Sequence, residues 1–442
     1  MKPPTKALFS NLDFDGITYT HRPGSIRGSA TLIAGTTVGA GILALPAVTL
    51  PAGVLPSTTL MVGVWLYMLI AALLIAEANI RVMRQIGQPG LGLLATVKAT
   101  LGSSGAIAAS LIYLFIHYAL LIAYTARGGD ILASALTNLW AQHSPGASIP
   151  RWAGHVVFTT LFGGILYRGN NRFITFVNSL LVTAVIIAFI GLLSLTLGQV
   201  QPSHWLPQHW EAVGLAIPVM VVAFVYHNVI PVITTELEGD GDRVRQAIFL
   251  GSLVPLVMFA LWNGVILGSV EVASATPGNI GELIDPIELL RQGRSHPLLG
   301  VTVAIFAEVA IATSFIGFVV GLLSVFQDLL GPSNIDQSDR PQNKQLFRYA
   351  LILLPPLALS VIDPNIFFQA IDFAGAFGTS ILFGIIPALM VWQLRHHPPT
   401  QASPKEAYPP PLVPGGRPIL LTIVLLAVAF IVENALIKTG LL

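Results

Sequence analysis

Long apolar stretches alternate with short polar ones along this chain, and the apolar stretches have the length that a membrane-spanning helix needs. An α-helix requires about 20 residues to cross about 30 Å of hydrocarbon. Eleven stretches meet or approach that length, the fourth and ninth being the shortest. They lie at 29–50, 57–79, 105–137, 152–167, 173–198, 212–237, 246–270, 298–328, 346–362, 366–394 and 418–437. The pattern predicts an all-α polytopic membrane protein with eleven transmembrane helices.

The amino-acid composition agrees with a chain that is embedded in the lipid bilayer. Of 442 residues, 54% are hydrophobic and 10% are charged, whereas about 25% of a soluble domain is charged. The formal net charge of +1 argues against a nucleic-acid partner. Because the chain has no cysteine, it can form neither a disulfide nor a thiolate metal site. We therefore expect one membrane domain without a cofactor.

The basic residues predict how the chain is oriented. If the amino terminus is cytoplasmic, 17 of the 22 Lys and Arg residues fall on cytoplasmic segments, as the positive-inside rule requires. The carboxyl terminus is then external. Residues 1–28 become a cytoplasmic segment with no cleavable signal, 29–394 the core, and 395–417 a proline-rich cytoplasmic tether before the last helix in 418–442. The longest external loop, 271–297, is expected to hold a short helix at 287–291.

The first apolar stretch contains residues that interrupt a helix. Gly35, Gly39 and Gly41 weaken it, and Pro46 leaves the carbonyl of Ile42 without its helical partner. Freed backbone groups are tolerated at membrane depth only where they are buried in protein or line a wet cavity. We therefore predict a break that exposes N–H groups to a ligand. The other interpretation is close helix packing through the glycines at positions 35 and 39.

A second interruption is predicted in the sixth stretch. Tyr226, His227 and Asn228 form a polar group at mid-membrane, and Pro231 cannot donate to the carbonyl of His227. The spans at 29–198 and 212–394 have opposite predicted topology, so the two breaks occupy matching places in an inverted repeat of five plus five helices. Paired interruptions of this kind are the best sequence indication of a transporter's substrate site.

The segment that contains the first break also resembles a known family. Gly35-Thr-Thr-Val-Gly-Ala-Gly-Ile-Leu-Ala-Leu-Pro46 is similar to the first-helix signature of bacterial aromatic amino acid permeases, the tyrosine and tryptophan transporters. These belong to the amino acid–polyamine–organocation superfamily, which has the LeuT-type fold. The resemblance implies a secondary transporter of the bacterial inner membrane that works by alternating access, with both breaks as substrate-binding elements.

An amino acid zwitterion needs positive partial charge for its carboxylate and carbonyl oxygens for its ammonium group. The amino end of the outer half-helix, near Gly39 to Gly41, suits the carboxylate. Freed carbonyls near both breaks suit the ammonium group. His117 joins the candidates because it lies on a polar and aromatic helix face with Ser110, Tyr113 and Tyr124. The predicted binding residues are Gly35, Thr36, Thr37, Gly39, Ala40, Gly41, His117, Phe224, Tyr226, His227, Asn228 and Phe373.

The coupling ion is predicted from the resemblance. Ala310-Ile-Ala-Thr-Ser314 resembles the eighth-helix segment that binds sodium in LeuT-type symporters, with hydroxyls from Thr313 and Ser314 and a carbonyl from Ala310. Aromatic permeases, by contrast, are described as proton symporters, so we expect H⁺ rather than Na⁺. The alternative is that Ala310, Thr313, Gly317, Gly321 and Ser324 form a packing face.

Four acidic residues within or beside the apolar stretches have separate predictions. Glu77 lies four residues before Arg81, the spacing of a helix-surface ion pair. Glu308 is deeper and has no partner visible in the sequence, which makes it a functional candidate without an assigned role. By analogy with the superfamily, Asp372 would close an outer gate and Asp328 an inner one, the latter with Arg22 or Arg27. Asp372 lies in a segment that resembles the family's Tyr-Ala-Gly-x-x-Gly stretch, with Phe373 in place of the tyrosine.

The leading hypothesis is proton-coupled symport of tyrosine or tryptophan. Alternatives are a sodium-coupled symporter of another neutral amino acid, an organic-cation carrier, an ion channel and an intramembrane enzyme. The sequence shows no filter-like motif for a channel and no hydrolase, zinc-protease or phosphate-loop motif for an enzyme.

Overall fold

The computed structural model describes residues 7–14, 19–21, 23–39, 41–141, 148–269, 297–329, 342–363, 365–396 and 410–439. Within these residues the fold is helical except for two strands of three residues each. The predictions for Ala40, for the external loop with its short helix and for the tether residues 397–409 lie outside this description.

Fourteen α-helices follow one another along the described chain. They are α1 (Ile26–Thr37), α2 (Gly41–Thr49), α3 (Val54–Ile86), α4 (Leu93–Ala141), α5 (Arg151–Arg168), α6 (Asn171–Thr196), α7 (Ile217–Ala223), α8 (Ile230–Glu236), α9 (Gly241–Ser269), α10 (Pro297–Leu329), α11 (Gln342–Ile362), α12 (Ile366–Phe373), α13 (Ile386–His396) and α14 (Gly416–Thr439). Short 3₁₀ turns lie at Leu197–Gln199, Pro202–Trp205, Trp210–Ala216 and His227–Val229. A π-helix, Ala374–Ile385, joins α12 to α13 without a break.

The helices confirm the prediction of an all-α polytopic membrane protein. Nine helical segments of the described chain are long and apolar enough to span a membrane, and the bent pair α1 and α2 makes a tenth. The predicted fourth span corresponds to α5, which has 18 residues and is therefore about 27 Å long, slightly less than the hydrocarbon thickness. The count of eleven spans, the inverted repeat and the orientation stay predictions.

The amino-terminal segment is attached to the end of α8. Strands β1 (Leu12–Phe14) and β2 (Tyr19–His21) pair antiparallel. Asn11 donates side-chain hydrogen bonds to the carbonyls of Thr235 and Glu236, at 3.2 and 3.0 Å. The Gly24 N–H donates to the Glu236 carbonyl at 2.9 Å. The sequence predicted only a polar segment here, because these partners are more than 200 residues away.

A buried carboxylate joins α3, α13 and the stretch of chain that precedes α14. The predicted pair of Glu77 and Arg81 is present, with an N–O distance of 3.0 Å. Arg395 also donates two hydrogen bonds to Glu77, at 2.8 and 2.7 Å. The N–H groups of Leu412 and Val413 complete this Glu77 clasp, at 3.0 and 3.5 Å. The end of the tether is therefore held against the helix bundle.

Glycines let the π-helix approach three other helices closely. A side chain on Gly375 would collide with the carbonyl of Pro218 in α7, one on Gly378 with Ile116 in α4, and one on Gly384 with Tyr67 in α3. Small residues are common where membrane helices approach closely. This segment therefore braces the helix that leads into the second break.

Candidate functional site

The first predicted break is present. Helix α1 ends at Thr37 and α2 begins at Gly41, with a bend of 56° between their axes. The Val38 N–H still donates a hydrogen bond to the Ala34 carbonyl at 2.9 Å, and the Ile42 N–H donates one to the Gly39 carbonyl at 3.3 Å. We refer to the interruption between Thr37 and Gly41 as the first break.

The second break lies directly beside the first. Helix α7 ends at Ala223, and a 3₁₀ turn, His227–Val229, precedes α8. We refer to residues 224–226 as the second break. A Cβ atom built on Gly41 would lie 2.9 Å from the Cα of Ala223. The two interruptions therefore occur at the same depth and in contact.

Some of the backbone carbonyls predicted to face a ligand already accept hydrogen bonds. The indole N–H of Trp262 donates to the Ile42 carbonyl at 3.0 Å, and the Ile230 N–H donates to the His227 carbonyl. The hydroxyls of Thr36 and Thr37 donate, each at 2.7 Å, to carbonyls four residues earlier in α1. The amino end of α2 has N–H groups without intrahelical acceptors and positive partial charge.

The segment of α10 that resembles a sodium site lies against the first break. A side chain on Gly39 would collide with the hydroxyl of Ser314. Tyr124 in α4 is hydrogen-bonded to that same serine. The Thr313 hydroxyl donates to the Ala310 carbonyl at 2.9 Å. The structure thus places the segment that resembles a sodium site beside the first break.

His227 is fully buried next to the second break. Its Nε2 lies 3.1 Å from the Met68 carbonyl, so Nε2 carries the proton, because a carbonyl can only accept. The Nδ1 atom has no hydrogen-bond partner among the described residues. The ring of His227 stacks on Phe383, with centroids 4.9 Å apart. An unsatisfied buried polar atom beside a break is unusual in a folded protein and suits a ligand.

His117 lies on the face of α4 that meets α10. Its Nδ1 is 2.8 Å from the Tyr113 carbonyl, and its ring stacks on the ring of Tyr113 at a centroid distance of 3.8 Å. A Cβ on Gly321 would lie 3.0 Å from Nε2 of His117. The polar face of α4 and the small-residue face of α10 therefore pack against each other, as the packing alternative for α10 proposed.

Three predicted residues make contacts that their predicted roles did not include. Phe224 is fully buried and packs on Phe259, with ring centroids 5.1 Å apart. Phe373 is 41% exposed, and the ammonium group of Lys438 lies 3.2 Å from its ring centroid. Asp372 pairs with Lys438 at 2.5 Å, which ties α12 to the last helix, and its part in an outer gate stays a prediction. The side chains proposed for the inner gate, Asp328 and Arg22, lie outside the described residues.

Two cavities lie on opposite sides of the first break. The first, of about 1000 Å³, reaches Leu43 in α2 and is lined by α4 and α10; we name it the outer cavity, after the predicted orientation. The second, of about 780 Å³, reaches Leu32 in α1 and Val232 in α8. Between them, Gly35 and Asn228 are exposed at the two breaks. The break region therefore separates two openings.

Sequence reasoning missed a charged group at the outer cavity. Asp130 accepts two hydrogen bonds from Arg151, at 2.8 and 2.6 Å, and its Oδ1 lies 3.2 Å from Nε2 of the fully buried His155. The signal was available, since Asp130 is an acid inside the third apolar stretch. Trp262 was also missed, and no sequence pattern links it to Ile42.

Comparisons with known proteins agree with this geometry. The model of the tryptophan/tyrosine permease family matches residues 22–434. A tryptophan-specific transport protein of Haemophilus influenzae is 30% identical over 396 residues, covering 86% of this chain and 90% of the relative. Tyrosine-specific transport system 2 of the same organism is 27% identical, covering 93% and 97%. Glutamine transporter 2 of Aliivibrio fischeri is 24% identical, covering 83% and 89%. The chain belongs to the tryptophan/tyrosine permease family and is a multi-pass membrane permease, not an enzyme.

Proposed function

We propose that this permease carries tryptophan or tyrosine across the bacterial inner membrane by alternating access, and that it binds its cargo at the two breaks. The observation that carries the proposal is the contact between Gly41 and Ala223. It brings two discontinuous helices together at one depth, as substrate sites of secondary transporters require.

The local chemistry suits an amino acid with a large side chain. The amino end of α2 offers positive partial charge to the carboxylate. The bare Nδ1 of His227 and the hydroxyl of Tyr226 can hydrogen-bond polar atoms of the cargo. Asn228 is exposed at the same level. The nearby rings of His227 and Phe383 provide aromatic surface that favours stacking.

The two cavities support alternating access. Each opens on a different side of the first break, so a modest movement of α1 and α2 against α10 can open one and close the other. Symport couples this movement to an ion, and we propose a proton.

Exchange in proteoliposomes tests the cargo. Vesicles preloaded with unlabelled tryptophan should accumulate radiolabelled tryptophan or tyrosine by counterflow at least tenfold faster than leucine or glutamine. Equal rates for leucine or glutamine would contradict an aromatic preference. Absence of counterflow for every amino acid would overturn the carrier proposal.

A second candidate is sodium coupling, which one arrangement favours. Ser314 touches Gly39, and the Ala310 carbonyl and the Thr313 hydroxyl lie on the same segment. Oxygen atoms of this kind are ligands for hard cations. Uptake measured with and without sodium, at fixed membrane potential and fixed pH gradient, separates the two ions. A strict sodium requirement would replace the proton.

A further inference from the structure

The glutamate in the middle of α10 has no structural use that the described residues reveal. Both carboxyl oxygens of Glu308 are buried, and neither has a hydrogen-bond partner among those residues. An ionised carboxylate in such a place is strongly disfavoured, because burial removes its hydration and nothing replaces it. A carboxyl group that is neutral when buried and ionised when wetted is a proton carrier by its chemistry.

No described hydrogen bond gives Glu308 a counter-charge that would hold it ionised. The helices packed against α10 are α4, α5, α6 and α11. In the described middle and outer parts of these helices the ionisable side chains are His117, Tyr124, Arg127, Asp130, Arg151 and His155. Asp130, Arg151 and His155 are engaged with one another, and the Arg127 guanidinium lies over the ring of Phe367, 5.8 Å from its centroid. A fixed ion pair therefore does not account for Glu308.

Along α10, Glu308 lies between residues that line the outer cavity and a residue that contacts the first break. Ala304, one turn earlier and about 40° away around the helix, lines the outer cavity, as does Ala307. In the other direction, Ser314 lies six residues on, about 9 Å along the axis, and touches Gly39. Along the axis of α10, Glu308 therefore lies between the outer cavity and the first break, with Ser314 about 120° away around the helix.

We propose that Glu308 is the side chain that carries the coupling proton. In the state that wets the outer cavity floor, the carboxylate takes a proton from water and becomes a neutral acid. The neutral form is the one compatible with the dry surroundings seen here. When the rearrangement of the breaks exposes it to the other side, it returns the proton to water and is ionised again. This inference rests on the proposed proton coupling.

The experiment compares wild type with E308Q, which keeps the shape but cannot ionise, and with the control E433Q. Glu433 is another acid of a membrane helix, in α14 near Gly214, away from the breaks. In proteoliposomes, E308Q should retain tryptophan counterflow within about twofold. Its accumulation driven by an inward proton gradient should fall at least tenfold, and tryptophan should no longer acidify the vesicle interior. E433Q should behave as wild type in all three measurements.

The outcomes separate the two claims. Absence of counterflow in wild type overturns the cargo, and counterflow without any response to the pH gradient overturns proton coupling. Full gradient-driven accumulation in E308Q, with wild type coupled, overturns the role of Glu308 alone. If E308Q does not reach the membrane, E308D serves, since it keeps a carboxyl group one methylene shorter. It should remain coupled but with a shifted pH dependence of accumulation, and an unchanged pH profile would overturn the proposal.

Discussion

At the scale of single residues, Gly41 is required because there is no room for a side chain at this position, not because it contacts a ligand. The sequence suggested that a side chain here would occupy the place of a bound carboxylate, whereas the structure directs the Cβ position onto the backbone of Ala223. The smallest possible addition is therefore enough to separate the two breaks.

We predict that G41A lowers tryptophan counterflow at least tenfold, because a Cβ 2.9 Å from Ala223 Cα forces the backbones apart. The matched control is G63A in α3, where nothing lies within 4 Å of the added Cβ and alanine favours the helix by about 1 kcal/mol. Normal counterflow in G41A would show that the contact between the breaks is dispensable.

The Nε2 atom of His227 hydrogen-bonds the Met68 carbonyl, whereas its Nδ1 atom is an acceptor without a described partner. Substitutions can separate the effects of these two atoms. In H227A the buried Met68 carbonyl loses its donor, so the melting temperature should fall, and the loss of Nδ1 should weaken tryptophan binding about tenfold, or about 1.4 kcal/mol. In H227Q an amide N–H can bond Met68 again, so stability should recover while affinity stays low. Thermal melting and equilibrium binding of purified protein measure both, and wild-type affinity in both variants would remove His227 from the site.

Residue-level prediction succeeded where the chemistry is local. Pro46 and the glycines near it are enough to predict the first break, and the spacing of Glu77 and Arg81 is enough to predict their pair. Prediction of single residues was less successful where a role depends on the direction in which the side chain points. Phe224 lies at a break but faces Phe259, and no pattern within seven residues of helix reveals which way it points.

At the scale of elements, the Glu77 clasp holds the end of the tether to α3 and α13. Glu77 has a side-chain exposure of 2% and Arg395 of 11%, so losing one partner leaves a buried charge with less compensation.

We predict that R395A destabilises the protein by about 3 kcal/mol, the range found when a buried ion pair loses one member. The control R245A also removes an arginine that binds the tether end, through the Leu412 carbonyl at 3.0 Å. The Arg245 side chain is 44% exposed, so that change should cost about 1 kcal/mol or less. Equilibrium unfolding in detergent compares the two, and similar losses would show that the clasp contributes no more than a surface contact.

The long apolar runs in the sequence were enough to predict where the helices lie. The irregularities within those helices were only partly predictable. Proline and glycine give a signal in the sequence for the breaks between α1 and α2 and between α7 and α8. The π-helix gives none, because its wider turn follows from contacts of Gly375, Gly378 and Gly384 with three other helices.

At the scale of the whole molecule, some contacts join helices that we expect to move together during transport, and others join helices that we expect to separate. The amino-terminal segment and the start of α1 share several hydrogen bonds with α8, among them one of 3.2 Å from the Ser29 hydroxyl to Glu236. Helices α2 and α10, in contrast, face each other across the outer cavity. Alternating access requires the first pair to stay together and the second to separate.

We predict opposite effects of two cross-links. Because the chain has no cysteine, introduced cysteines are the only thiols. Joining S29C to E236C with a short thiol-reactive cross-linker should leave counterflow within about twofold of the unlinked protein. Joining L43C to A304C in the same way should stop counterflow, and reduction of a cleavable linker should restore it. Undiminished exchange with the second link in place would mean that the outer cavity does not open and close during transport.

The π-helix has a consequence for how the tenth span ends. Each of its residues advances less far around the axis than a residue of an α-helix does, so the twelve residues from Ala374 to Ile385 set the rotational phase of everything that follows. Arg395 meets Glu77 only at that phase. Deleting one residue from the π-helix would turn the half of the span that carries Arg395 by a fraction of a turn and aim the guanidinium away from its carboxylate, so an irregularity in the middle of the span governs whether the Glu77 clasp can form.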